Sequence, residues 1–180
     1  MKFSQNLYRL GTESAFAILA EAKKIEATGK KMINLGIGQP DFKTPTHVMD
    51  AAKKAIDDGH HGYVVSNGIL ECREAVCRKI KKLYGANINP ERIIITPGGK
   101  PTMYFAISMF GEPGAEIIYP DPGFPVYESM INYTGAKAVP YSILDNKDLK
   151  FDPDKILSLI NEKTRMIVII NPNNPTGSFV

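Results

Sequence analysis

An α/β fold, with a largely parallel sheet and helices on both faces, is what this sequence predicts, on three observations. From residue 91 onward, short β-branched runs alternate with segments of helical periodicity, the rhythm of strands joined by helical crossovers. A glycine turn, Pro97-Gly98-Gly99-Lys100, stands between one such run and a helical segment. A second loop dense in turn residues, 171–177, directly follows the most apolar run, at the carboxyl edge where α/β sheets hold ligands.

The elements follow in order. Residues 13–28 carry Phe16, Leu19 and Ala20 at helical spacing and stop at Thr28-Gly29, which predicts a leading amphipathic helix. Residues 33–42 set two glycines and a proline among apolar residues, a loop lying close against something. Thr44-Pro45 predicts a cap with proline at the first helical position, and Gly59 the end of that helix. Residues 69–84 repeat the pattern through Leu70, Val76, Cys77, Ile80 and Leu83, with Gly85 as the stop. Strands are expected at 92–96, 116–119, 137–141 and, strongly buried, 165–170. Helices are expected at 99–110, 126–133 and 153–161, the last capped by Asp152.

Composition narrows the function. In 180 residues the formal charge is +3, and Lys and Arg are spread among acids rather than gathered into the stripe that tracking a nucleic-acid backbone requires. Cys72 and Cys77 are five apart in one predicted helix, which points them to different faces. They read as reduced thiols of a cytosolic protein, with Cys77 in the core. The apolar run 15–20 is closed by Glu21 and Lys23, too early for a signal-peptide core. No apolar stretch approaches the roughly 20 residues that span a bilayer. His47, His60 and His61 lack metal-ligand spacing and read as surface residues.

The chemistry concentrates in the two loops. A glycine turn running into a helix presents backbone N–H groups at a helix N-terminus, an anion site. A Walker A motif would need Gly at 94 and Ser or Thr at 101, but Ile94 and Pro101 stand there. Gly36-Ile37-Gly38 begins a dinucleotide fingerprint, yet Asp41 replaces its third glycine. Read alone, Gly98-Gly99 also fits a purely structural tight turn. Asn171-Pro172-Asn173-Asn174-Pro175-Thr176-Gly177 is more specific: two Asn-Pro pairs exceed what a generic turn needs, and a neutral Asn bonds a ligand oxygen without adding charge.

With these motifs in hand, the sequence resembles the class I/II aminotransferases of the aspartate-aminotransferase fold, fold type I. The matching segments run in order: Gly36-Ile37-Gly38-Gln39-Pro40-Asp41-Phe42 with Thr44-Pro45, then Tyr63 with Gly68 and Arg73, Pro97-Gly98-Gly99, Pro120-Asp121-Pro122-Gly123-Phe124, and 171–177. The resemblance implies a pyridoxal 5'-phosphate (PLP) site. In it Gly98, Gly99 and Lys100 present backbone to the phosphate, Phe124 stacks on the ring, and Asn174 bonds the phenolic oxygen. Gly38 lines the substrate-carboxylate pocket, and Tyr63 reaches across a homodimer interface to the partner's cofactor phosphate. Without the resemblance, Tyr63 reads as a partly buried surface aromatic and Phe124 as a core residue. The sequence departs from relatives at Cys72, usually aliphatic, and at Pro101, usually a helix former.

The resemblance also implies cis bonds at Asp121–Pro122 and Asn174–Pro175 and amino acid and 2-oxo acid substrates, while the charge pattern and the apolar stretches predict no nucleic-acid or membrane partner. It divides the chain into an N-terminal helix with substrate-pocket loop, 1–45, and an incomplete PLP-binding large domain, 46–180. In relatives the Schiff-base lysine, the acid beside the ring nitrogen and the substrate arginines lie after the Asn-Pro motif. The expectation is therefore an N-terminal portion, inactive by itself, with unpaired sheet edges and exposed apolar faces. A PLP lyase or synthase shares every motif, and an interaction module that binds no PLP remains the rival from another class.

Overall fold

The computed structural model describes residues 2–11, 14–144, 147 and 149–179, with only the backbone at Ser14 and Phe16. The expected helix start at residue 13 and the side chain of Phe16 lie outside the described residues. Two compact units are formed, one by Met1–Asn34 with Gly98–Val180 and the other by Leu35–Pro97. These units are defined by packing, whereas the 45/46 division is an expectation drawn from the sequence motifs.

The first unit is built on a three-stranded parallel sheet of order β2-β1-β3, formed by β1 (Glu116–Asp121), β2 (Lys137–Ser142) and β3 (Thr164–Ile167). Side chains alternate across a strand, so β1 supplies two cores. Ile117 and Tyr119 pack with Ile107 of α4 (Lys100–Phe110) and with Met130 and Ile131 of α5 (Val126–Thr134). Ile118, facing the other way, packs with Tyr141, Ile143 and Ile156 of α6 (Pro153–Leu159). Helices thus cover both faces, as expected of an α/β sheet with parallel strands.

Polar contacts hold the register. Glu116 receives Lys137 Nζ at 3.0 Å from β2 and Asn161 Nδ2 at 2.9 Å from the approach to β3. These two hydrogen bonds keep its carboxylate below the usual range. The Tyr141 hydroxyl donates to the Val168 carbonyl at 3.0 Å. Strand β1 passes through Pro120, although a proline argues against a central strand. The reason lies in the ladder: even-numbered residues of β1 face β3, where pairing ends with Val168 N–H donating to the Ile118 carbonyl. The Val168 carbonyl, just beyond β3, takes the Tyr141 hydroxyl rather than a backbone N–H of β1.

Around this sheet, α1 (Ser14–Glu26) buries Ala22 and leaves Ala20 exposed. The 3₁₀ turn Gln5–Arg9 sends the Arg9 guanidinium to the carbonyls of Asn132 and Tyr133 at 2.9 and 3.1 Å, a cation at the negative end of α5. Asp152 caps α6 as expected, accepting from the Asp154 and Lys155 N–H groups.

The second unit contains α2 (Thr46–Asp57), α3 (Leu70–Tyr84) and the 3₁₀ turn Pro90–Arg92. Gly85 ends α3 in the left-handed conformation, as read from the sequence. Arg73 is the buried side chain among this unit's described residues, at 5% exposure. It donates to the carbonyls of Gly68 and Pro90 and to Glu91 Oε1 at 2.9, 3.1 and 2.9 Å.

Four expectations are corrected. The N-cap of α2 is Pro45, one residue later than the Thr44-Pro45 reading, and it makes no side-chain cap bond. The expected strand 92–96 does not form: Arg92 ends a 3₁₀ turn and 93–96 are in no strand; a strand needs a ladder, and here the Ile95 N–H goes to the Asn67 carbonyl at 3.0 Å. Strand β3 ends at Ile167, earlier than expected, and is only half buried, with Ile167 exposed and Ile169 beyond it exposed as well, because α6 on that face packs on Ile118 and Tyr141. Cys77 is half-buried rather than core, and both cysteines are free thiols. The expected exposed apolar residues are present, among them Tyr104, Phe105 and Met109 on α4. No helix among the described residues is long and apolar enough to cross a membrane.

The buried phenols make stability depend on alkaline pH. Burial raises Tyr119 and Tyr141 from 10.0 to about 12, with Glu128 and Asp121 adding repulsion at Tyr119. A phenol whose folded pKa exceeds its unfolded one contributes fully below the unfolded value and loses that contribution as pH rises. Urea midpoints are expected to stay level from neutrality to near pH 10 and to fall between about 10 and 12. Tyr141→Phe is expected to cost about 1–2 kcal/mol at pH 7, since it strips the Val168 carbonyl of its donor, and to flatten part of the alkaline fall. A midpoint unchanged by that substitution would count against the hydrogen bond.

Candidate functional site

The site begins at the glycine turn that opens α4. Gly98 has φ +87, in the region that L side chains avoid. Gly99 then caps α4 in helical conformation, with Pro101 in the first turn. Proline is tolerated there because a first-turn N–H has no intrahelical acceptor, so the departure at Pro101 leaves the turn intact. Gly98, Gly99 and Lys100 are all exposed, and the first turn of α4 carries no acidic residue. The positive end of the helix dipole therefore faces no neighbouring carboxylate on its own first turn.

The second part follows β1. Asp121–Pro122 is cis, as the resemblance implied. Gly123 comes next because any Cβ there would run into the Pro120 carbonyl oxygen. Phe124 is half-buried, edge-on to Tyr127 with ring centroids 6.5 Å apart. Burial raises the Tyr127 phenol, so a neutral group stands beside the Phe124 ring at ordinary pH. Lys100 Nζ lies 5.7 Å from the Phe124 centroid, within cation–π range. This contact joins the turn at α4 to the turn after β1. The sequence reading took Lys100 for its backbone alone and missed its ammonium.

The third part is loop 171–177, after β3. Asn174–Pro175 is cis as implied, and Asn171–Pro172 is cis as well. Asn174 is exposed. Its neighbour Asn173 is buried, and its Nδ2 donates to the Pro122 carbonyl at 3.4 Å and to Thr176 Oγ1 at 2.9 Å. That link brings the Asn-Pro loop to the turn that carries Phe124. Sequence reasoning passed over Asn173; the available signal was an amide held between two Asn-Pro pairs.

Of the residues chosen from sequence, Gly98, Gly99, Lys100, Phe124 and Asn174 thus belong to three loops joined by direct contacts within one unit. Gly38 and Tyr63 belong to the other unit. There Gly38 is exposed, and a Cβ on it would meet nothing within 4 Å. Tyr63 is fully exposed at 110%, not the partly buried aromatic of the unaided reading. The three histidines are exposed, and no cluster of metal-ligating side chains occurs among the described residues. A helix N-terminus free of acids, an aromatic ring and neutral amides suit a flat ligand carrying an anionic group.

Known proteins resemble this chain along nearly its whole length. The profile of the family "Aminotransferase class I and II" matches residues 30–180. An aspartate aminotransferase of Bacillus subtilis is 34% identical over 177 residues, covering 98% of this chain and 45% of that protein. One of Pyrococcus horikoshii is 44% identical over 147 residues, covering 82% of this chain and 38% of that protein. The solved alanine aminotransferase of Pyrococcus furiosus superposes with a TM-score of 0.90 at 32% identity, over 99% of this chain and 46% of that one. The chain therefore spans less than half the length of these relatives. With the motif order, the α/β sheet and these similarities in agreement, the chain belongs to the class I and II aminotransferase family.

Proposed function

We propose that this chain is the N-terminal part of a PLP-dependent enzyme that moves an amino group between an amino acid and a 2-oxo acid. The observation that carries the reading is the meeting of three loops, with Lys100 Nζ 5.7 Å from the Phe124 ring and Asn173 bonded to Pro122. The names of the relatives support the reaction class.

In this reading Gly98, Gly99 and Lys100 hold the cofactor phosphate through backbone N–H groups at the start of α4. Phe124 stacks against the ring, and Asn174 donates to the phenolic oxygen. Gly38 lines the pocket for the substrate carboxylate, and Tyr63 serves the cofactor phosphate of a second subunit. When bound, PLP supplies the electron sink for removal of the α-proton, and the chain's own residues bind and orient it. The parent protein is taken as a cytosolic homodimer without nucleic-acid or membrane partners. Residues 1–45 would form its N-terminal helix and pocket loop, and 46–180 a portion of its cofactor domain. The lysine that binds PLP covalently is assigned to the part of the relatives this chain does not span.

Titration of the full-length protein with PLP tests the site. Binding is expected to weaken with added inorganic phosphate, and Phe124→Ala to weaken it roughly fivefold, since stacking contributes about 1 kcal/mol. Indifference to both would sink the assignment of the phosphate and ring positions.

The assignment of the lysine has its own test. The 180-residue chain, incubated with PLP and borohydride and then digested for mass spectrometry, is expected to yield no stoichiometric adduct on any one lysine. A single specifically labelled lysine, with oxo-acid release from an added amino acid, would overturn it.

A further inference from the structure

We propose that Asn173 is a positioning residue that holds Asn174 at the place of its ligand oxygen, an inference that rests on the cofactor reading above. Asn173 is 8% exposed, and a buried amide without acceptors would be costly. Both hydrogens of its Nδ2 group have acceptors, the Pro122 carbonyl at 3.4 Å and Thr176 Oγ1 at 2.9 Å. Its backbone is engaged too: its N–H donates to the Ser178 carbonyl and its carbonyl accepts from the Gly177 N–H, each at 2.8 Å. The Thr176 and Ser178 hydroxyls, 2.8 Å apart, extend the same network.

Loop 173–178 is thereby closed on itself and fastened to a carbonyl 51 residues upstream, two residues before Phe124. Asn174 is the next residue along, exposed and followed by Pro175. Its backbone position is set by a neighbour that faces inward. The device requires a double donor of this size. Asp has the same shape but only acceptor oxygens when ionised, and it would set a carboxylate against the Pro122 carbonyl.

The test uses the full-length protein and non-covalent probes, so that the lysine plays no part. Pyridoxamine phosphate, its analogue lacking the 3-hydroxyl, and inorganic phosphate are titrated by calorimetry. The unsubstituted protein is expected to prefer pyridoxamine phosphate to the 3-deoxy analogue by about tenfold, the scale of one hydrogen bond to an anionic oxygen. In Asn173→Asp and in Thr176→Val that preference is expected to shrink to within about twofold while phosphate affinity holds. On an Asn174→Ala background, Asn173→Asp is expected to cause no further loss. Retention of the tenfold preference in both variants would overturn the positioning role. So would a fall in phosphate affinity parallel to the loss of preference, which marks general damage to the fold. If Asn173→Asp does not fold, as judged by circular dichroism, the milder Thr176→Val decides. Failure of the unsubstituted protein to bind pyridoxamine phosphate would overturn the cofactor reading itself, and this inference with it.

Discussion

Burial of β1 on both faces organises the sheet-containing unit. Ile117 and Ile118 are each 0% exposed, and they face opposite ways. A strand with two apolar faces must be covered twice, which is why α4 and α5 lie over one side and α6 over the other. Each fully buried aliphatic side chain contributes about 1.5–3 kcal/mol, so no surface ion pair among the described residues competes with this strand as a source of stability. The exposed pair Lys24–Glu21, for instance, stands at 74% and 64% side-chain exposure.

That burial also determines where chemistry can occur. Parallel strands send their chain ends to one edge, and there β1 passes into the Pro122-Gly123-Phe124 turn and β3 into the Asn-Pro loop. At this edge packing has no room to give. Gly123 leaves no space for a Cβ beside the Pro120 carbonyl, and Asn173 commits both Nδ2 hydrogens to Pro122 and Thr176. The exposed residue Asn174 is therefore mounted on a closely packed support. A site of this kind depends on buried neighbours that never touch the ligand.

Much of this was legible in the residues. Helix α3 is recognisable by its apolar spacing and by Gly85, whose left-handed conformation is a local property. Asp152 is recognisable as a cap because its side chain bonds N–H groups two and three residues on. The glycine turn before α4 and the Asn-Pro loop are likewise short-range patterns, and the order of five such segments pointed to the family that the comparisons then showed.

What the sequence by itself determined, then, are features whose cause lies within a few residues: helix periods, caps, turns and the identity of the motif loops. Only the tertiary structure decided features whose cause lies far along the chain. Residues 93–96 have the composition of a strand but no ladder, because pairing depends on a neighbour rather than on propensity. The exposure of Ile167 at the end of β3 follows from where α6 lies, since on that face the helix packs on Ile118 of β1 and Tyr141 of β2. Lys100 meets the Phe124 ring across 24 residues, and Asn173 meets Pro122 across 51. Neither meeting has a local signature. The second follows from a parallel sheet that delivers the loops after β1 and β3 to one edge, and the first from the packing of α4 on α5 through Ile107, Met130 and Ile131.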